Sequence, residues 1–436
     1  MELKPNDVKE FNSQYKINSE LSTKFKLISE KDKISFVSVA GKPKKLAVEV
    51  IKRFFTNPVV VAALSVFILI ILFSLIVPAP GIASYKPNRR INDYSFINNL
   101  PPLYAPIVTK TLRPDDNIWQ FYNNIVEKGN ENPKLKEAFA FFTSTWKRGQ
   151  RPIIGSLFQI QYDAYALFKA AVLNEKLSDI IKLNTAAGRT PITDAEIAAT
   201  LAQIPNLKTY LGTSPQGYDI WITTWYATWR AIKIALIVAV IQAVIGIAIG
   251  AYLGFHAGKL IDTIVMRVIS IFLSPPTMIW ILIFVSIFGS TERSLIISLS
   301  IVGWPGFVGL TRMFIITVKN EEYITAAKAI GASTKRQVFV HALPAIIGKI
   351  ANSFVRTIPG IILWIASLAF LGFFKEKEDT NLGQLLIEAS GQAGGNIWIL
   401  LLPALILLAL SLSLNFIALG IHDALDPKVM SKGKRK

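Results

Sequence analysis

The chain has 436 residues, 52% of them apolar and only 17% charged, with a mean hydropathy of +0.42. That composition excludes an ordinary soluble domain and sets the class as integral membrane. The absence of cysteine excludes disulfide and thiol chemistry, and the formal charge of +18 reads as a membrane-flank signal rather than a nucleic-acid footprint, because much of it sits beside apolar runs.

Residues 1–53 are polar and hold 12 Lys/Arg against 7 Asp/Glu. No cleavable leader is expected, since the first apolar run begins near Asn57 and is too long for one. Six runs approach the ~20 residues that cross a bilayer: 57–79, 234–255, 268–289, 294–316, 350–373 and 397–421. An even number of spans puts both termini on one side. The basic tails, the last with 5 Lys/Arg against 2 acidic residues over 422–436, mark that side as the cytoplasm. The expected divisions are a cytoplasmic tail (1–53), a first span (54–80), an extracytoplasmic insertion (81–218), a five-helix membrane core (219–421) with a cytoplasmic loop at 319–346, and a basic cytoplasmic tail (422–436).

The insertion is long enough for a small folded subdomain. Amphipathic patches predict helices over Asp116–Glu127, Pro133–Trp146, Leu157–Leu183 and Thr193–Ala202, with Asp116 and Thr193 as N-caps. It either packs on the membrane core alone or serves as a platform or gate for a substrate-delivering partner. After it, Trp221, Trp225 and Trp229 recur at helical spacing and predict an interfacial aromatic anchor, with Asp219 capping their helix.

Inside the spans, Gln242, Ser274, Thr277, Ser298, Ser300, Ser367 and Asn415 are the candidate pathway-lining residues. The alternative for each is helix–helix hydrogen bonding. The spans carry no central charged residue, which argues against a proton- or ion-coupled carrier. Arg312 and Arg356 are expected near the cytoplasmic ends, reaching the interface. Pro275-Pro276 and Pro305-Gly306 predict kinks.

The loop at 319–346 is charged and lies between apolar runs. Lys319, Lys328, Lys335, Arg336 and Lys349 against Glu321 and Glu322 put it on the side of the tails. Glu321–Ile330 suits a helix, Gly331 can end it with positive φ, and Ser333 or Thr334 can cap a second helix ending before Pro344. The small residues at the bend allow close approach by a partner surface.

No catalytic, cofactor or metal residue is expected. The Gly-Lys pairs at 41–42, 258–259, 348–349 and 433–434 lack the Ser/Thr of a phosphate loop, and His256, His341 and His422 are too far apart in sequence to suggest a metal site.

ITAAKAIGAS followed by HALP resembles the EAA loop of binding-protein-dependent ABC importer permeases. Ala326, Ala327, Gly331, Leu343 and Pro344 stand at the family's spacing, while Thr325 replaces its glutamate and His341 its isoleucine. Leu211-Gly212-Thr213 with Gly217 and Asp219 resembles the family's LGTDxxGRD element, with Tyr218 in place of arginine. Ala251–Asp262 is similar to its GYxGGxxD turn. Phe370-Leu371-Gly372 is similar to its FLG ending, with Ile365 for an acidic residue, and Leu414–Lys428 is similar to its LNxxGDxLRDxLDP tail. Together these identify the chain as resembling the C-type (OppC/DppC-type) subunit of dipeptide/oligopeptide permeases.

The resemblance implies an all-α integral membrane fold, a six-span type I ABC importer permease; the large extracytoplasmic insertion, expected to be helical from its own amphipathic patches, has no counterpart in it over residues 84–209. The resemblance also implies a second permease subunit (OppB/DppB-like), two ATPase subunits (OppD/OppF-like) that bind ATP and Mg, an extracytoplasmic peptide-binding lipoprotein, and membrane lipids. It assigns ATPase coupling to Glu322, Tyr323, Thr325, Ala326, Ala327, Gly331, Ala332, Ser333, His341, Leu343 and Pro344. The same architecture importing nickel, glutathione or oligosaccharide is one alternative. An ATP-independent channel or membrane receptor is another.

Overall fold

The computed structural model describes residues 46–148, 157–289, 291–371, 382, 385 and 396–425. The tails at 1–45 and 426–436, and Gly372 of the FLG element, lie outside them. Two units separate, residues 1–52 and residues 53–436. The described part of the first is the start of helix α1 (Leu46–Thr56), which carries Val48, Ile51 and Phe55 exposed on one face.

Among the described residues of the second unit, five stretches are long and apolar enough to cross a membrane, and a bent helix pair makes up to six. Helix α2 (Pro58–Ile76) opens on Asn57, whose side chain accepts the Val59 amide, with Pro58 in the first turn where its missing N–H costs nothing. Helix α8 (Ile220–Phe255) starts well before the expected span and includes the tryptophans. Trp225 is buried and stacks on Phe73 of α2 at 5.3 Å, so this ring holds two helices together instead of facing lipid.

The expected single span at 268–289 is two helices, α9 (Leu260–Phe272) and α10 (Thr277–Phe288), bent by 80°. Pro275 and Pro276 supply no amide donors, so the helix stops and the Phe272 carbonyl loses its partner. The Trp280 indole N–H donates to that carbonyl at 2.6 Å and stacks on the Phe272 ring. Pro305 behaves differently, lying buried inside an uninterrupted helix α11 (Glu292–Val318).

Helices α8 and α11 form the most extensive pairing in the membrane core. Gly246, Gly250 and Gly254 line the contact. A Cβ added to them would lie 2.4 Å from the Phe307 Cβ, 2.6 Å from the Val308 carbonyl and 2.6 Å from the Ile315 Cβ. Only bare backbone fits, so the two helices gain dispersion contact over several turns. Both ends of α11 are tied by charge. Glu292 accepts from Arg230 (3.0 Å) and Lys233 (2.6 Å) of α8. Arg312 grips Asp262 of α9 through two bonds of 2.6 and 2.7 Å, so it is an ion-pair partner and not a free interfacial cation. Arg356 is exposed, but it lies midway along the helix Leu343–Phe370 and not near its start.

Residues 81–218 are α+β, which corrects the helical expectation for this region. Strands β1 (Ile107–Leu112), β2 (Lys147–Arg148) and β3 (Phe158–Asp163) make an antiparallel sheet in the order β1-β3-β2, with Ile107 opposite Asp163 and Lys147 opposite Gln161. Around it lie α3 (Asn117–Glu131), α4 (Pro133–Ala138), α5 (Ala140–Thr143), α6 (Ala164–Ala186) and α7 (Asp194–Ala202). The predicted helix over Leu157–Leu183 splits because FQIQYD alternates apolar and polar, the period of a strand. Asp163 then caps α6. Asp116 caps α3, and Thr193 with Glu196 forms a capping box on α7. The core holds Phe139, Phe142, Ile160 and Phe168, with Trp146 stacked between Tyr122 (4.1 Å) and Tyr162 (5.5 Å).

Leu211-Gly212-Thr213 ties this region to the membrane core. Gly212 has φ +84, and a Cβ there would strike the Leu100 carbonyl. The Leu100 amide donates to Thr213 Oγ1, and Asn396 at the head of the last span donates to the Leu100 and Leu211 carbonyls. Asp219 caps α8 through the Ile222 amide. Burial pushes its carboxyl up to about 6, against the amide hydrogen bonds that favour the charged form.

Candidate functional site: a hooked loop and an intramembrane cavity

The loop after α11 is a helical hook. Helix α12 (Glu322–Ala329) ends in a full Schellman motif: the Gly331 amide donates to the Lys328 carbonyl and the Ala332 amide to that of Ala327. Gly331 takes φ +87, with open space where a Cβ would sit, so backbone conformation and not crowding demands glycine. Ser333 then caps a turn over Thr334–Arg336, and the Gln337 side chain donates to the Ala332 carbonyl at 2.6 Å.

The second helix does not stop before Pro344. A π-helical turn over Gln337–Ala342 runs directly into α13 (Leu343–Phe370). Proline in the following turn has no amide to offer, and the wider π turn makes room for its ring. The hook is therefore continuous with the fifth span, which begins at Leu343 and not near 350.

Apolar residues anchor the hook. Ile324, Val338 and Ala342 are buried against Ala251 of α8, Ile315 of α11 and Ile346 and Ile350 of α13, and Ala327 is buried as well. Of the predicted coupling residues, Glu322, Tyr323, Thr325, Ala326, Gly331, Ser333 and Pro344 are exposed, Ala332, His341 and Leu343 are half-buried, and Ala327 is buried. The Thr325 hydroxyl donates to the Glu321 carbonyl, a local bond to its own helix. Sequence reasoning missed Ile330, 88% exposed, and Phe339 and Val340, both more than half exposed. With Tyr323 they are exposed apolar side chains on an otherwise charged loop. Their hydrophobicity among lysines was the available signal.

The second feature is a cavity of about 330 Å³ bounded by α8, α10, α11 and α13. Gln242 and Thr277 line it with Ser353, Thr357 and Trp364. Gln242 donates to the Leu299 carbonyl at 2.8 Å, and its carboxamide occupies the space a Gly303 side chain would need. The other predicted pathway residues lie elsewhere. Ser298 is buried and donates to the Ser294 carbonyl, while Ser300 is buried without a hydroxyl partner among the described residues. Ser274 is exposed at the α9–α10 break. Ser367 and Asn415 are exposed and donate to the carbonyls of Leu363 and Ser411 in their own helices. Ser353 and Thr357 escaped the sequence reading because they sit one turn apart in a span whose facing side was not known.

Two family models match this chain. One, described as binding-protein-dependent transport system inner membrane component, matches residues 246–431. The other, the N-terminal TM domain of oligopeptide transport permease C, matches residues 45–102. Among similar proteins, the dipeptide transport system permease protein DppC of Haemophilus influenzae is 33% identical over 172 residues, 39% of this chain and 58% of that protein. The oligopeptide transport system permease protein OppC of Mycoplasma pneumoniae is 39% identical over 238 residues, 53% of this chain and 62% of that protein. OppC of Escherichia coli is 30% identical over 171 residues, 39% of this chain and 57% of that protein. The matched part spans little more than half the length of each relative.

Proposed function

We propose that this chain, matched over residues 246–431 by the model for binding-protein-dependent transport system inner membrane components and over residues 45–102 by that for the N-terminal TM domain of oligopeptide transport permease C, is the non-catalytic permease subunit of an ATP-driven oligopeptide or dipeptide importer. In this reading it forms half of the translocation pathway, beside a second permease subunit. Two cytoplasmic ATPases bind ATP and Mg, and an extracytoplasmic binding protein delivers the peptide. Both termini and the hook face the cytoplasm, and residues 81–218 face outside.

The observation that carries the reading is the hook. Its buried side is fixed to α8, α11 and α13, and it leaves the apolar side chains of Tyr323, Ile330, Phe339 and Val340 exposed. A surface of that kind in water fits a partner. ATP-driven closure of two ATPases would press on α12, and the unbroken path through the π turn into α13 would carry the movement into the membrane core. The Gln242–Thr277 cavity, bounded by the same α11 and α13, is the part of the pathway this chain contributes. The peptide cargo rests on the printed names of the relatives, which are dipeptide and oligopeptide permeases.

Co-purification tests it. The intact chain brings down an ATPase and a second permease. Gly331→Pro, which cannot hold φ +87, keeps the second permease and loses the ATPase. If the intact chain brings down no ATPase, the reading fails.

A further inference from the structure

Strand β1 is an edge strand: among the described residues it pairs with β3 on one side and with nothing on the other. Every second residue along it therefore turns an N–H and a C=O away from the sheet. A groove of about 690 Å³ runs along that side. Four consecutive strand residues, Ile107, Val108, Thr109 and Lys110, line it. Contact with four residues in a row, and not with alternate ones only, puts the backbone edge of β1 in the groove, which also reaches over the sheet to Tyr162 of β3.

The two ends of the groove differ. One reaches the head of the last membrane helix, where Trp398 donates its indole N–H to the Tyr104 hydroxyl at 2.6 Å beside exposed Ile397. The other holds Lys110, opposite buried Ile160 in the sheet register and exposed at its own position. Among the described residues no carboxylate pairs with it. A lysine on the inner side of an edge strand also guards against open-ended pairing with a second copy, because it would be trapped without a counter-charge.

We propose that this groove is a binding site for an extended peptide, which adds to β1 as a fourth strand with its terminal carboxylate at Lys110 and an apolar side chain at the Tyr104–Trp398 end. The occupant is cargo. Main-chain pairing reads an extended backbone and ignores most side chains, as a carrier of varied peptides requires. The groove ends at the membrane helix that cargo must pass. The inference rests on the importer reading and on the outward placement of residues 81–218. It adds a peptide contact on the permease itself, made before entry into the membrane.

The test uses the intact chain in lipid nanodiscs and a fluorescently labelled peptide of alternating alanine and leucine, as long as β1 at 6 residues. Fluorescence anisotropy reads binding of three forms: the free acid, the C-terminal amide, and the acid N-methylated at alternate residues. The free acid binds. N-methylation, which removes main-chain donors without touching the protein, weakens it roughly tenfold or more. The amide, and the acid on Lys110→Glu, each lose about fivefold. Equal binding of the N-methylated peptide overturns strand addition, and unchanged binding by Lys110→Glu overturns the carboxylate assignment. If no form binds a chain that still co-purifies its ATPase, the groove proposal fails and the importer reading stands. If the ATPase is also absent, it is the importer reading that has failed.

Discussion

The two ends of α11 are both fastened by charge, yet in different ways. At the end that the proposed topology turns outward, Glu292 has two partners, Arg230 and Lys233, both on α8, and its side chain is 26% exposed. At the inner end Asp262 has one side-chain partner, Arg312, with the Gly258 amide completing its bonds, and it is only 3% exposed. The outer clamp reinforces a pairing that the glycines already close. The inner clamp joins α11 to α9, which otherwise meets α8 and α11 through a small apolar cluster of Leu253, Ile269 and Val308, and does so a few residues before the hook. Loss of a partner is therefore tolerated outside and costly inside. The inner end is also where movement of the hook can reach the bent α9–α10 pair.

The largest effect is expected between the clamps. Gly250→Leu drives a side chain into the Val308 backbone and the Thr311 Cβ. It should cost more than about 4 kcal/mol and be seen as loss of the chain from the membrane fraction, while Gly306→Leu, with open space at its Cβ, accumulates normally. Arg312→Ala comes next, because it strands a buried carboxylate. It should cost about 3–5 kcal/mol, read as a lower thermal midpoint in detergent, and Asp262→Asn in the same background should recover part of it.

Asp219, at the start of the helix that carries the outer clamp, sharpens the comparison through pH. Its folded value near 6 lies above the ordinary aspartate value of 3.8, so the folded state binds the extra proton. That contribution is complete below about pH 4 and is lost as pH rises through 6, on the order of 2–3 kcal/mol. Asp219→Asn still caps α8 and should flatten the decline of the thermal midpoint between pH 4 and 7. At the outer clamp itself, Glu292→Gln should cost about 1 kcal/mol. A cost equal to that of Arg312→Ala would break the contrast between the two ends.

Much of this was legible in the chain. The spans follow from apolar runs, and the caps at Asp116, Thr193 and Asp219 follow from side chains that satisfy nearby amides. The hook follows from Gly331 and Ser333, whose effects are local. What was not legible depends on partners distant in sequence. The Asp262–Arg312 pair joins residues 50 apart. The fit of Gly250 against Thr311 and of Gln242 over Gly303 depends on how two helices face each other. Pro275-Pro276 announced a bend but not one of 80°. Pro344 read as a stop because a π turn ahead of a proline leaves no local mark. Strand β3 was absorbed into a helix because its six residues run directly into α6.

Ile330 gives the most direct test of the hook as the ATPase contact. The chain has no native cysteine, so a single introduced thiol reports one position. Ile330→Cys and Ile82→Cys, both at strongly exposed sites, are treated in native membranes with a thiol-directed photo-crosslinker, and the attached protein is identified by mass. The account predicts that Ile330→Cys captures an ATPase and Ile82→Cys does not. Capture at Ile82→Cys, or no ATPase at Ile330→Cys in a chain still bound to its second permease, would contradict it.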